Sequence, residues 1–355
     1  MNPITENAPL APLTTLRIGG AAKKLWTVDS EEECVAAIRQ LDQDGERFFV
    51  LGGGSNVVIA DEGFDGTALH LIYEGAEHQQ RDGDSFAIDA SAGDDWALLV
   101  DALVEAGLSG VECLAGIPGL VGATPIQNVG AYGQEVATTI EAVRVYNRAT
   151  QQVEELTPGQ CGFAYRTSAL KGNKDLVVLG VRFLLERSPL SAPIGYRELA
   201  EKLDVELGER AEAEATRSAV LELRRAKGML LDERDHDTWS AGSFFTNPIL
   251  TAAEFERLEQ RVREHCGDEA AAPRFDAAGG MFKSSAAWLI EQAGFSRGEQ
   301  RGEVALSSKH TLALTNRGDA SATELLAFAH EIAARVDELF AVRLHPEPAL
   351  IGVEW

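Results

Sequence analysis

Three short stretches of this 355-residue chain set a reactive or charged group in glycine-rich or apolar surroundings. In CGFAYRTS, residues 161–168, Arg166 follows Phe163 and Tyr165. It suits a fixed, partly buried cation beside a carboxylate or an enolate, or else a stem laid over apolar surface. In AGSFFTNP, residues 241–248, Ser243 stands between a glycine and two phenylalanines, which would hold its hydroxyl in a dry pocket. A turn or cap role is the alternative. No GxSxG elbow surrounds it, so a hydrolase nucleophile is not expected. In LHPEPALIG, residues 344–352, Glu347 lies between two prolines that stiffen the backbone and remove N–H donors. That placement suits a positioned acid or a plain surface charge.

These groups need a frame, and the most unusual part of the chain is residues 116–135, GIPGLVGATPIQNVGAYGQE. Glycines at 116, 119, 122, 130 and 133 rule out a regular helix or inner strand. Ile117, Leu120, Val121, Ala123, Ile126, Val129 and Ala131 are nonetheless apolar, unlike a solvated linker. A buried backbone with available N–H groups lets a flat, anionic ligand approach closely; a tight turn between two strands is the plainer reading. GGGSN at 52–56 fails as a dinucleotide fingerprint, because Val57 stands at the third glycine position and a strand follows in place of a helix. A turn facing a pyrophosphate, with Ser55 and Asn56 as polar contacts, remains open.

Composition limits what such a ligand could meet. The net charge of −24 argues against a nucleic-acid or anionic-membrane binder. An anionic ligand must therefore be met by backbone N–H groups or by a local basic cluster such as Arg224, Arg225 and Lys227. Cys34, Cys113, Cys161 and Cys266 are widely spaced with no CxxC, and read as small core residues in a reducing compartment, with neither disulfide nor metal site. No signal peptide or membrane span is visible, so the expected location is the cytoplasm.

Periodicity and caps predict helices over 30–44 (a Ser30/Glu33 capping box), from 94 or 95 to 107, over 198–214, 216–227, 251–266 and 284–293, and over 321–339 (a Ser321/Glu324 box). Strands are expected at 47–51, 57–60, 67–72, 86–90, 142–146, 152–156, 176–185 and near 311–316, with strand character in 342–355. The acidic run 232–237 reads as a solvated loop. Many short strands without regular βα alternation predict an α+β protein.

Taken together, TLRIGG (15–20), LGGGSN, IPGLVGATPIQNVGAYGQE, FAYRTS, AGSFFTNP, AAWLIEQAG and HPEPALIG, in that order along nearly the whole chain, resemble the UDP-N-acetylenolpyruvoylglucosamine reductases, the MurB family. The resemblance implies a two-lobed FAD-binding unit of the vanillyl-alcohol-oxidase/PCMH type and a C-terminal α+β substrate domain. The first lobe would be 1–73, rejoined by a strand in 343–355; the second would be 74–232, including a mobile loop with Tyr196; the substrate domain would be 233–342. It implies a cytoplasmic, monomeric enzyme of peptidoglycan precursor synthesis, with non-covalent FAD and with NADPH as electron donor. Its substrate would be the enolpyruvyl ether of UDP-N-acetylglucosamine, reduced to UDP-N-acetylmuramate.

By the same resemblance, Gly52, Gly53, Gly54, Ser55, Asn56, Ile117, Pro118, Gly119, Gly122, Ala123, Thr124, Asn128, Gly130, Ala131, Tyr132, Gly133 and Arg224 would surround the cofactor. Tyr165, Tyr196, Lys227, Asn247 and Lys283 would meet the substrate. Arg166 and Glu347 match residues that stabilise the enolic intermediate, and Ser243 matches the proton donor to C2. The sequence departs from the family pattern at Gly228-Met229, where many relatives carry a proline-containing turn, in the highly charged stretch 198–215, and at Ala349, an arginine in some relatives. Two competing readings are a related FAD oxidase of an alcohol or lactone and an inactive nucleotide-binding module.

Overall fold

A computed structural model describes residues 4–355; residues 1–3, with which the expected first lobe begins, lie outside the described residues. The chain divides into two compact units. One contains the residues up to Ala8 with Ala22–Gly54 and Asp65–Leu230; the other contains Pro9–Ala21, Ser55–Phe64 and Leu231–Trp355.

In the first unit, strands Ile4–Pro9, Ala21–Val28, Phe64–Leu71 and Phe48–Leu51 form a sheet in that order, the last two parallel with Val50 opposite Leu69. Helix Glu31–Gln43 places Cys34, Val35, Ile38 and Leu41 in a core with Trp26, Val28, Leu69 and Leu71. Its cap differs from the expected box: Ser30 accepts from the Glu33 N–H, but the Glu33 carboxylate reaches back to the N–H of Asp29. A larger antiparallel sheet is centred on the long strand Leu176–Arg187, between Ile140–Asn147 and Ser85–Ser91. Helix Trp96–Glu105, capped by Asp95, covers one face with Trp96, Leu99, Val100 and Leu103. The expected helix over 198–214 is broken: Arg197–Leu203 ends at Asp204 in the left-handed region (φ 55°), and a new helix runs from Ala213 to Ala226.

The second unit is built on helix Ala322–Phe340, started by the expected Ser321/Glu324 box. Its Leu325, Phe328, Ile332, Val336 and Phe340 pack with Phe255, Leu258 and Val262 of helix Ala252–Cys266, and with Leu289 and Ile290 of helix Ala286–Gln292. Strand Leu314–Asn316 is found near its expected place, but its partner Val304–Leu306 and the next strand of that sheet, Gln300–Arg301, are too short to show a pattern in sequence. In the tail only Ala349–Ile351 is a strand, paired in parallel with Val57–Ile59. The run 232–237 is not simply solvated. Asp237 is buried, pairs with Arg317 at 2.8 Å and accepts from the backbone N–H and the hydroxyl of Ser308. No helix among the described residues is long and apolar enough to cross a membrane.

Asp61 gives the long helix a second cap, accepting from the N–H groups of Ala322 (2.6 Å) and Thr323 (2.9 Å) and from the Thr323 hydroxyl (2.7 Å). Burial pushes this carboxyl up, but those donors outweigh it and hold it below its ordinary value of 3.8. A depressed carboxyl contributes stability above its unfolded value and loses it as pH falls through the folded one. Asp61→Asn should therefore lower stability near neutral pH by about 1 kcal/mol. In urea titrations at several pH values, the gap to the parent protein should close on acidification; a gap independent of pH would show that the charge is not what caps the helix.

Candidate active site

In the first unit the two glycine-rich turns meet backbone to backbone. A Cβ on Gly53 would lie 2.9 Å from the Cα of Gly119, and one on Gly122 would lie 2.6 Å from the Ala92 Cβ. Only glycine permits the first approach, which joins the turn after strand Phe48–Leu51 to the segment leading into 119–122. The second segment is pinned in turn: Gly119 O accepts from Trp96 N, Val121 N donates to Asp94 O and Gly122 N to Ala92 O. The N–H groups of Gly122, Ala123 and Thr124 are thus used within the protein, to Ala92, Leu120 and Val121. Those of Gly53, Gly54, Ile117 and Gly119 donate to no other backbone group among the described residues. Ile117 and Pro118 are half-buried beside them. A pair of such turns is a cradle for a phosphate-bearing ligand, which needs donors and no intervening side chains.

The glycine-rich segment ends in a hairpin, Gly130–Ala131 against Gln134–Glu135, with Tyr132 (φ 49°) and Gly133 (φ 82°) at its tip. Positive φ at both tip residues is the type I′ pattern that matches strand twist. Asn128, also at positive φ, is a clamp: its amide donates to Glu135 (2.8 Å) and Ala164 O (3.1 Å), and its oxygen accepts from Ala137 N (3.1 Å). Its side chain is therefore committed to the loop.

Arg166 sits on a second tight turn. Ala164 and Thr167 exchange both backbone hydrogen bonds, so Tyr165 and Arg166 form the tip, with Arg166 at φ 54°. Ser168 Oγ ties the turn to Ile126 O at 2.7 Å. Arg166 Nη2 donates to Gly130 O at 2.6 Å, and its guanidinium carbon lies 5.2 Å from the Tyr165 ring centre. Half-buried and held at both ends, this arginine is a fixed cation and not a loose stem over the surface.

Tyr132 also meets the segment carrying Tyr196. The two rings pack edge to face at 5.4 Å, and the Lys227 ammonium lies 5.6 Å from one and 5.9 Å from the other. Lys227 pairs with Glu198, a residue sequence reasoning passed over as part of a charged helical run. Burial pushes the Tyr132 hydroxyl up to about 12, against the pull of Arg224. Arg224 is buried, donates to Met229 O at 2.9 Å and, among the described residues, pairs with no carboxylate and keeps a buried Nε without a partner. Burial pushes it down to about 10, so it remains cationic at neutral pH. An orphaned buried guanidinium is a strong reason to expect an anion.

In the second unit Ser243 and Glu347 lie on neighbouring extended segments. Glu347 N donates to Phe244 O at 2.8 Å, Phe245 and Pro346 form a bridge, and Thr246 N donates to His345 O. Phe244 and Phe245 are buried and lock the serine segment into the core, while Ser243 and Glu347 stay half-exposed. Asn56 backs Glu347: its amide donates to Glu347 O at 3.4 Å, and its own carbonyl accepts from Ala349 N. Asn247 Oδ1 accepts from Ala286 N at the start of helix Ala286–Gln292. Lys283 lies opposite Ile249 and Phe275 in a three-stranded sheet, within 6.0 Å of the Phe275 ring centre. Trp355, which no motif marked, packs on Phe244 and Phe245 and stacks on His330.

Comparison with known proteins gives the family. Residues 22–157 match the model of an FAD binding domain, and 234–351 match the C-terminal domain of UDP-N-acetylenolpyruvoylglucosamine reductase. The reductase of Streptomyces coelicolor is 51% identical over 99% of this chain and 92% of its own length. That of Thermobifida fusca is 51% identical over 98% of both. The crystal structure of the enzyme from Thermus caldophilus superposes with a TM-score of 0.64 at 27% identity, covering 98% of each chain. With α+β units, a glycine cradle inside the FAD-binding match and full-length relatives, the chain belongs to the UDP-N-acetylenolpyruvoylglucosamine reductase family.

Proposed function

We propose that this chain catalyses the NADPH-dependent, FAD-mediated reduction of the enolpyruvyl group of UDP-N-acetylglucosamine-enolpyruvate to UDP-N-acetylmuramate, as a monomer in the cytoplasm. The observation that carries the reading is the rung between Glu347 N and Phe244 O, which holds an acid and a hydroxyl on adjacent strands behind two buried aromatic rings. The Gly53–Gly119 approach and the unpaired Arg224 fit a flavin dinucleotide and its phosphates. Bound FAD would supply the hydride chemistry, from NADPH to the enol ether.

The protein's own groups supply the rest. Arg166, oriented by Gly130 O, stabilises negative charge on the substrate carboxylate and its enolic form. Ser243 Oγ delivers the proton that completes saturation at C2, and Glu347 shares in stabilising the enolic charge. Lys227, Tyr196, Asn247 and Lys283 hold the UDP-sugar, with Tyr196 on a segment that gates access. In this reading 1–73, rejoined by the strand in 343–355, and 74–232 serve as the two FAD-binding lobes, and 233–342 as the substrate domain.

Three variants test this reading. Ser243→Ala should leave flavin bleaching by NADPH nearly intact and slow reoxidation by the enolpyruvyl sugar about a thousandfold. Equal losses in both half-reactions would remove Ser243 as the proton donor. Glu347→Gln should likewise spare the NADPH half-reaction while turnover drops about a hundredfold; full turnover would take Glu347 off the list. Gly53→Ala puts a methyl where only 2.9 Å separates it from the Gly119 Cα. It should purify with a lower ratio of flavin to protein absorbance, and undiminished flavin would place the cofactor elsewhere.

A further inference from the structure

Glu112 is a carboxylate with no exposed surface and no basic partner among the described residues. It is spent entirely on backbone: Oε2 accepts from Gly110 N at 2.6 Å and Oε1 from Ala192 N, 80 positions along the chain, also at 2.6 Å. A buried charge held only by amides is costly compared with an apolar side chain of the same size, so its value here is geometric.

What it holds is the root of the Tyr196 segment. Around Ala192 the chain closes on itself: Ser191 N donates to Ala211 O, Ala211 N to Ser191 Oγ, Ile194 N to Glu209 O and Ala213 N to Pro189 O. Next to Glu112, Cys113 N donates at 3.1 Å to the buried side chain of Gln134, in the second strand of the hairpin that bears Tyr132. A single short turn, Glu112–Leu114, therefore grips both the Tyr196 segment and the Tyr132 hairpin. Where those two come together there is no slack, since a Cβ on Gly133 would lie 2.7 Å from the Gly195 carbonyl carbon.

We infer that Glu112 is a positioning residue for substrate binding: through Ala192 it sets where Tyr196 and Glu198 stand relative to Tyr132 and Lys227. The inference rests on the proposed use of Tyr196 and Lys227 to hold the UDP-sugar. Glu112→Gln keeps the volume but turns an amide donor toward one of the two N–H groups. In the flavin-loaded, full-length enzyme it should raise KM for the enolpyruvyl UDP-sugar about tenfold, the scale of one charged hydrogen bond. The rate of flavin reduction at saturating NADPH should not change. Hydrogen–deuterium exchange should quicken at the amides of Ser191, Ala192, Ile194 and Gly195 and stay the same in helix Trp96–Glu105.

A parental KM with parental exchange overturns the inference, and so does equal weakening of both half-reactions with faster exchange throughout, which marks a merely structural group. If Glu112→Gln does not fold, exchange in the parent protein decides: the Ala192 amide must be as slow as those of strand Leu176–Arg187, and exchange as fast as in exposed turns overturns the post. Tyr196→Phe separates the two readings. If it leaves KM unchanged, the substrate role of Tyr196 fails; if it raises KM while Glu112→Gln does not, only the role of Glu112 fails.

Discussion

The first unit depends on one close approach, that of Gly53 to Gly119, where even a methyl group would collide with backbone. A protein with a net charge of −24 cannot attract a polyanionic ligand through its overall field. Backbone N–H groups meet this constraint because they offer partial positive charge without adding a cation that must itself be desolvated. They can do so only if two turns converge without side chains between them. That explains why the glycines sit in apolar surroundings, and why the flanking N–H groups of Val121 and Gly122 are tied back to Asp94 and Ala92 while those of Gly53 and Gly119 are not.

Backbone hydrogen bonds also hold the segments that carry Arg166, Ser243 and Glu347. Arg166 occupies the left-handed region at a cost of about 1 kcal/mol, offset by the paired hydrogen bonds of Ala164 and Thr167 and by the Ser168 hydroxyl. Ser243 and Glu347 are joined by a main-chain rung and braced by Phe244, Phe245 and Trp355. Fixing the chain in this way fixes where each side chain starts.

The parts of this arrangement that were legible in sequence are those governed by local rules. Ser321 with Glu324, Thr251 before its helix and Asp95 before Trp96 each start a helix where a capping residue precedes an apolar stripe. The helix expected over 198–214 failed because Asp204 turns the chain into the left-handed region, which an aspartate tolerates and which composition does not disclose. The run 232–237 departs from a solvated loop at Asp237 because its partner Arg317 lies 80 positions away; nothing within the run announces burial. Arg166, Ser243 and Glu347 stood out by their unusual neighbours. Asn128 was expected at the cofactor by resemblance alone, yet its side chain serves the loop, since residue type does not say whether an amide faces protein or ligand. Glu198, Trp355 and Glu112 act through contacts distant in sequence and carry no local mark.

The cluster of Tyr132, Lys227 and Arg224 shows what this architecture implies energetically. Burial drives Tyr132 toward its neutral form and Arg224 toward its own, yet Arg224, at about 10, keeps its charge near neutrality. Lys227 already has Glu198 as a counter-ion, whereas Arg224 has only a carbonyl and an empty Nε–H. A cation so placed destabilises the protein by itself, and the strain is relieved by any anion that reaches it. An anionic cofactor that reached it would therefore bind the folded chain and not the unfolded one, so binding and folding would be coupled through this residue. The surplus of acidic residues elsewhere sharpens the contrast: among the described residues none forms an ion pair with Arg224, whose buried Nε–H has no partner.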